Sequence, residues 1–272
     1  MTLVETLAVN LAVSKREAKR LVDERSVFVN SKRVWIAKHT VMIGDRIEVV
    51  GLTQGNAKPS DGIPEDTARE ALPILLTAGD ALVVDKPAGV ECVNGQDHIE
   101  ARLRKRWPNA RVVHRLDKDT SGCLLATTSE AAWDFFVEQF ANHSIKKRYL
   151  ALMLGAPKSA KTIVDAPLDG KSAKSVFYRK EVLGQCSLCE IELLTGRTHQ
   201  IRRHARELGL TVLGDRKYGA QSLDKRLRSV ERQMLHAWKL SFMPSAGSSP
   251  IEVVSAPPKD FSSWRRRLGG AG

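Results

Sequence analysis

The chain has 272 residues, 42% of them hydrophobic and 27% charged, which suits a folded globular protein and excludes a disordered one. Its 43 Lys and Arg against 31 Asp and Glu leave a formal charge of +12, so a polyanion, nucleic acid above all, is the expected partner. No apolar run approaches the ~20 residues that span a bilayer. Met1-Thr2-Leu3-Val4-Glu5 lacks the layout of a secretory signal, and Cys92, Cys123, Cys186 and Cys189 are too few for a secreted disulfide scaffold. A reduced, cytoplasmic, monomeric protein with no membrane association is expected.

In chain order, the first element is a helix starting at Ser14, with Glu17 placed to complete a capping box. Ala18, Leu21 and Val22 supply its apolar face, while Lys15, Arg16, Lys19 and Arg20 form a basic stripe on another. That stripe is either a docking face for RNA or an ordinary solvated surface. Two β-rich runs follow at 27–30 and 34–36, and Gly44-Asp45 turns the chain into a strand at 46–50. Residues 51–67, GLTQGNAKPSDGIPEDT, have the composition of a linker. The expected organisation is a small front domain over 1–50, a linker over 51–67 and a large domain over 68–272.

The large block alternates strand-like runs, at 81–84, 123–128, 149–154 and 189–194, with helical patterns. Ser129 caps one helix, whose apolar positions are Ala131, Ala132, Phe135, Phe136 and Phe140. Phe261, Trp264 and Leu268 fall at helical spacing near the C-terminus, which leaves Arg265, Arg266 and Arg267 free for phosphate. The predicted fold class is α+β, with a mixed, mostly antiparallel sheet.

The densest polar cluster is His114-Arg115-Leu116-Asp117-Lys118-Asp119-Thr120-Ser121-Gly122, set between two apolar runs. Strand–loop–strand order presents such a loop at a sheet edge, where reactive groups are often displayed. A plain surface turn has the same composition. A kinase reading fails, because no glycine-rich phosphate loop is present and the Asp comes one residue late. The second cluster is Thr195-Gly196-Arg197-Thr198-His199-Gln200-Ile201-Arg202-Arg203-His204, followed by Gly214-Asp215-Arg216-Lys217-Tyr218-Gly219. His199 and His204 lack the neighbours and spacing of metal ligands, and Cys186 and Cys189 have no second pair, so core packing is expected of the cysteines. Neither a Walker loop nor a dinucleotide fingerprint occurs, so no cofactor and no metal are expected.

In their order, HRLDKDTSG, KKRYLALMLG, TGRTHQIRRH, GDRKYG and RQMLHAWKLSF resemble the successive motifs of the RluA-like pseudouridine synthases over about residues 73–245. The front block resembles the S-four-like RNA-binding domain in Ser14-Lys15-Arg16, Val27-Phe28-Val29-Asn30 and Val41-Met42-Ile43-Gly44-Asp45-Arg46-Ile47, although Ser31 stands where that family usually has Gly. Val90-Glu91-Cys92-Val93-Asn94 replaces the usual continuation after Lys86-Pro87-Ala88-Gly89. The resemblance implies the pseudouridine synthase fold and isomerisation of uridine in structured RNA. Large-subunit ribosomal RNA is the first expectation; transfer RNA, or a non-catalytic role in ribosome assembly, is the alternative. It also implies Asp117 as the catalytic carboxylate, Arg202 as its partner and Tyr149 as the residue stacked on the base. Arg115, His114, Arg197 and His199 are expected at the substrate, and Lys15, Arg16, Lys19 and Arg20 at RNA phosphates. Attack at the anomeric carbon and removal of a ribose proton both remain open as routes.

Overall fold

A computed structural model describes residues 2–10, 14–24, 26–29, 32–41, 47–50, 72–219 and 225–270. The front block carries α1 (Leu3–Asn10), α2 (Lys15–Asp23), β1 (Val27–Val29), β2 (Lys32–Arg33) and β3 (Ile47–Val50). The large block begins with β4 (Ile74–Ala78), β5 (Ala81–Lys86), α3 (Ile99–Arg104), β6 (Arg111–Val112), β7 (Ser121–Thr127), α4 (Glu130–Ala141) and β8 (Lys146–Leu154). It continues through β9 (Lys161–Asp165), β10 (Lys174–Leu183), β11 (Cys186–Leu193), α5 (Gln200–Glu207), β12 (Thr211–Val212) and a 3-10 turn at Lys225–Ser229. β13 (Leu235–Phe242), β14 (Ile251–Val254) and α6 (Lys259–Arg267) complete it.

The described strands form one sheet whose main path runs β2-β1-β3-β14-β13-β8-β11-β10-β9. Among them only β7–β13 and β3–β14 pair in parallel, so the mixed, mostly antiparallel α+β class is the observed one. Strand alternation sends successive side chains to opposite faces. Leu82, Val84, Leu124 and Ala126 enter one core with Ile99, Leu103, Ile201 and Ala205. Ala81, Val83, Cys123 and Leu125 enter the other with Phe136 and the front block. Ser129 caps α4, its side chain accepting from the Ala132 amide at 3.2 Å. Phe136 is fully buried on that helix while Ala131 stays exposed.

The front block does not rest on a small core of its own. β3 pairs in parallel with β14, Val49 opposite Val253. Leu3, Leu7, Ala18, Leu21, Val22, Val27 and Val49 share one cluster with Leu76, Leu125, Phe136, Phe242 and Val253. A helix pair on three short strands has too little interior to be stable by itself, and borrowing the large sheet supplies the rest. The run 34–36 is not a strand: β2 is Lys32–Arg33, paired with Val29 and Phe28, and Trp35 and Ile36 are 60% and 58% exposed. Residues 30, 31, 42–46 and the expected linker 51–67 lie outside the described residues, as does the Glu17 side chain.

Candidate active site

Residues 113–120 connect β6 to β7, and their backbone is fastened on both sides of Asp117. Val113 N–H donates to Leu125 O at 2.9 Å, and Leu125 N–H returns a bond to His114 Nε2 at 3.0 Å. Leu116 donates its N–H to Cys92 Sγ at 3.2 Å, while the thiol donates to Leu116 O at 3.3 Å. Lys118 O accepts from both Lys86 Nζ (2.8 Å) and Gly89 N–H (2.9 Å). Thr120 N–H closes the turn onto Asp117 O at 3.0 Å. Gly122 follows at φ +110°, where a Cβ would collide with the Ala237 backbone, so only glycine lets β7 run parallel against β13. The result is a short, multiply fastened loop with the Asp117 carboxylate held up from it.

That carboxylate meets Arg202, which α5 brings from 85 residues away in the chain. Arg202 Nη1 donates to Asp117 Oδ2 at 3.0 Å. Its Nε and Nη2 bind Asp215 bidentately at 2.6 and 2.8 Å. Asp215 Oδ1 also accepts the Lys217 and Tyr218 amides at 2.9 and 3.0 Å, so its oxygens are saturated. Burial opposes the charge on both partners, yet the hydrogen bonds win: Arg202 is pushed above its ordinary pKa and Asp215 below its own. Side-chain exposure falls from 24% at Asp117 to 9% at Arg202 and 1% at Asp215. The guanidinium is thus anchored by the buried acid and offered to the accessible one. Gln233 Nε2 adds a contact to Asp117 Oδ2 at 3.3 Å and holds Thr120 Oγ1 at 2.8 Å.

Tyr149 on β8 is buried, and burial together with the Asp117 charge pushes its phenol well above the ordinary range. It therefore stays a neutral phenol at neutral pH and holds its proton more tightly than a free tyrosine. His199 precedes α5 in the left-handed region at φ 53°, a conformation that costs a non-glycine residue about 1–3 kcal/mol. Its Nδ1 meets Tyr218 Oη at 2.9 Å, and its Nε2 stands 3.8 Å from Asp117 Oδ1. Burial lowers the His199 pKa. Gln200 and His204 of the same motif are scaffold. Gln200 Oε1 accepts from Thr195 Oγ1 and Arg197 N–H at 2.8 and 2.9 Å, and its Nε2 donates to Lys174 O and Ser175 Oγ at 3.0 and 2.9 Å. His204 is locked between Ser175 Oγ and Ala166 O at 2.9 and 3.0 Å. Cys186 and Cys189 are buried in the core.

Of the residues singled out from the sequence, Asp117, Arg202, Tyr149 and His199 converge. His114 does not: its ring packs 4.8 Å from Phe140, and burial drops its pKa to about 3, so it is a neutral brace for the loop. Arg197 is tied through Nε to Ser172 O at 3.0 Å, and Arg115 is exposed on the loop. Lys15, Arg16 and Lys19 are exposed, whereas Arg20 is half-buried against Glu24 at 3.7 Å. Arg265 is not free for phosphate: it forks onto Glu181, Nε to Oε2 at 3.0 Å, with a second bond from Nη2 to Oε1. Asp215, Gln233 and Lys86 escaped sequence reasoning. Each stands in a quoted motif, but only three-dimensional proximity assigns its task.

Residues 80–207 match the family described as RNA pseudouridylate synthase, and residues 1–47 match the S4 domain. The chain is 33% identical over 249 residues to ribosomal large subunit pseudouridine synthase D of Xanthomonas campestris, covering 79% of this chain and 72% of that protein. It is 31% identical over 294 residues to an RNA pseudouridine synthase of Mycobacterium bovis, covering 98% and 94%. Among solved structures, human RNA pseudouridylate synthase domain containing 1 superposes with a TM-score of 0.60 at 29% identity, over 70% of this chain and 84% of that one. These likenesses define the class first, an RNA-modifying isomerase with an RNA-binding front end. Within it, the chain belongs to the RNA pseudouridylate synthase family.

Proposed function

We propose that the protein isomerises a specific uridine of large-subunit ribosomal RNA to pseudouridine, with Asp117 as the reacting carboxylate. The observation that carries this reading is the division of Arg202 between Asp215 and Asp117, which holds one accessible carboxylate oriented at the rim of a buried ion-pair network. The reaction breaks the bond from ribose carbon to uracil nitrogen, rotates the base and joins the same ribose carbon to the base carbon. A proton leaves that base carbon and one returns to nitrogen, so no outside oxidant or donor is consumed. Attack at the anomeric carbon and removal of a ribose proton both use the ionised carboxylate. Tyr149 lies under the base and stays a neutral phenol, fit to stack on it.

A stacked uridine is out of reach, so the RNA presents it flipped, with Arg115 on the exposed side of the loop where the guanidinium fills the vacated stack. Lys15, Arg16 and Lys19 on α2 steer the RNA by its phosphates. The relatives named for the large ribosomal subunit support the substrate class. The reading includes a monomer working in the cytoplasm without a membrane; among the described residues no helix is long and apolar enough to cross one. Carbodiimide mapping or mass spectrometry of RNA from deletion cells tests it. One or more pseudouridines in large-subunit RNA disappear on deletion, return with the wild-type gene and do not return with Asp117→Asn. A deficit confined to transfer RNA overturns the substrate, and rescue by Asp117→Asn overturns the carboxylate's role.

A further inference from the structure

Lys147 has no place in the chemistry above, yet it is the odd charge of the site. It lies on β8 two residues before Tyr149 and on the same face, so the two Cα atoms are about 7 Å apart. The residue is 8% exposed, but among the described residues its ammonium has neither an ion pair nor a hydrogen bond; it lies over the Phe140 ring, with Nζ 5.5 Å from the centroid. On the other side, Nζ lies 3.6 Å from where a Cβ on Gly196 would stand. The next residue, Arg197, spends only Nε on the protein, at Ser172 O, and leaves both Nη groups unbonded among the described residues. Burial and the neighbouring Arg197 charge press the Lys147 pKa down to about 8. Two cations crowd together here, and the described residues offer them no anion. Such an arrangement is unfavourable in the free protein and becomes favourable once an anion enters.

We propose that Lys147 and Arg197 form a phosphate seat, which receives a phosphodiester flanking the uridine whose base lies on Tyr149. The seat rests on the uridine-isomerising reading and adds a register device to it. Gripping the backbone beside the target fixes which nucleotide can reach Asp117, while the α2 cations act on phosphates elsewhere. Lysine supplies a point charge at the base of the seat, and Arg197 brings two spare donor groups from the loop that leads into α5.

The test uses full-length protein and a transcript of the RNA segment that carries the mapped uridine, whichever RNA that proves to be. Failure of the ribosomal assignment therefore changes the probe and leaves the seat testable. Binding is measured in an Asp117→Asn background, so turnover plays no part. Lys147→Met and Arg197→Gln should each lower the slope of log affinity against log salt by about 0.7–0.9. Replacing one flanking phosphate with a neutral methylphosphonate should weaken binding to the parent about tenfold and to Lys147→Met hardly at all. In the active protein, Lys147→Met should raise KM about tenfold with a much smaller change in kcat, and Lys147→Arg should restore most of the loss. Urea unfolding separates the seat from a packing role, because Met keeps the contact with the Phe140 ring while removing a charge that has no anion among the described residues, so the midpoint should stay unchanged or rise. An unchanged salt slope, equal methylphosphonate penalties in parent and variant, or a lowered urea midpoint in Lys147→Met overturns the proposal.

Discussion

Charge is deployed in opposite ways at the two ends of this molecule. On α2, Lys15, Arg16 and Lys19 point into solvent with little to hold them; the Lys15–Glu5 pair is 3.6 Å apart and Lys15 is 74% exposed. Around Asp117, the paired charges are cross-tied: Arg202 to two carboxylates, Asp215 to a guanidinium and two amides, Asp117 to Arg202 and Gln233. Solvated cations keep their reach and lose it to salt, which suits capture of a long polyanion. Desolvated, paired charges hold one geometry and are little screened, which suits chemistry on one nucleotide. The same contrast recurs inside a single motif, where Arg202 is buried in its network and Arg203 makes a surface fork to Asp169, itself 70% exposed.

The sharpest break of this contrast is Asp215→Asn. It keeps the shape but leaves Arg202 buried with one anion too few, so stability should fall by about 3–5 kcal/mol in urea unfolding and turnover should drop at least ~100-fold. Unchanged stability would show that Asp215 does not anchor the guanidinium. At the other end, the triple change of Lys15, Arg16 and Lys19 to Gln should cost roughly 10–100-fold in RNA affinity near 0.1 M salt and cut the salt slope by about 3. If the slope stays put, α2 does not touch phosphate.

His236 extends the comparison to groups the interior keeps neutral. Fully buried between Ser121 Oγ and Ser255 O, each at 3.0 Å, it has its pKa pushed down to about 4 by burial. The unfolded chain takes up this proton below about pH 6.5 and the folded one does not until near pH 4, so stability is present above pH 6.5 and lost on acidification. The loss should be about 2 kcal/mol between pH 7 and 5, and His236→Asn should remove that part of the slope. The smallest effect belongs to Arg203→Ala, which should leave the urea midpoint almost unchanged, since its fork is solvated. A loss as large as that of Asp215→Asn would erase the distinction between neighbouring arginines.

Periodicity made much of the scaffold legible. The Ser129 cap, the continuous apolar runs of β5 and β7 and the apolar face of α2 are local patterns, and local sterics and hydrogen bonding produce them wherever they occur. The run 34–36 departs from its strand-like composition for a local reason too. Val-Trp-Ile has strand composition, but Phe28 and Val29 pair with Arg33 and Lys32, Val34 makes the last bond to Val27 O at 2.9 Å, and Trp35 and Ile36 come after the ladder has ended. The fusion of β3 to β14 was invisible, because it joins residues about 200 apart and depends on which sheet edge is open.

The site divides along the same line. By its residues alone the chain determined that a polar loop between two strands would display Asp117, and motif order nominated Arg202 and Tyr149 as its company. Tertiary structure alone decided that Asp215 anchors Arg202, that Gln233 reaches Asp117 across 116 residues and that His114 braces the loop from inside. A hydrogen bond of about 3 Å is a condition on distance, and sequence separation does not constrain distance until the sheet has closed.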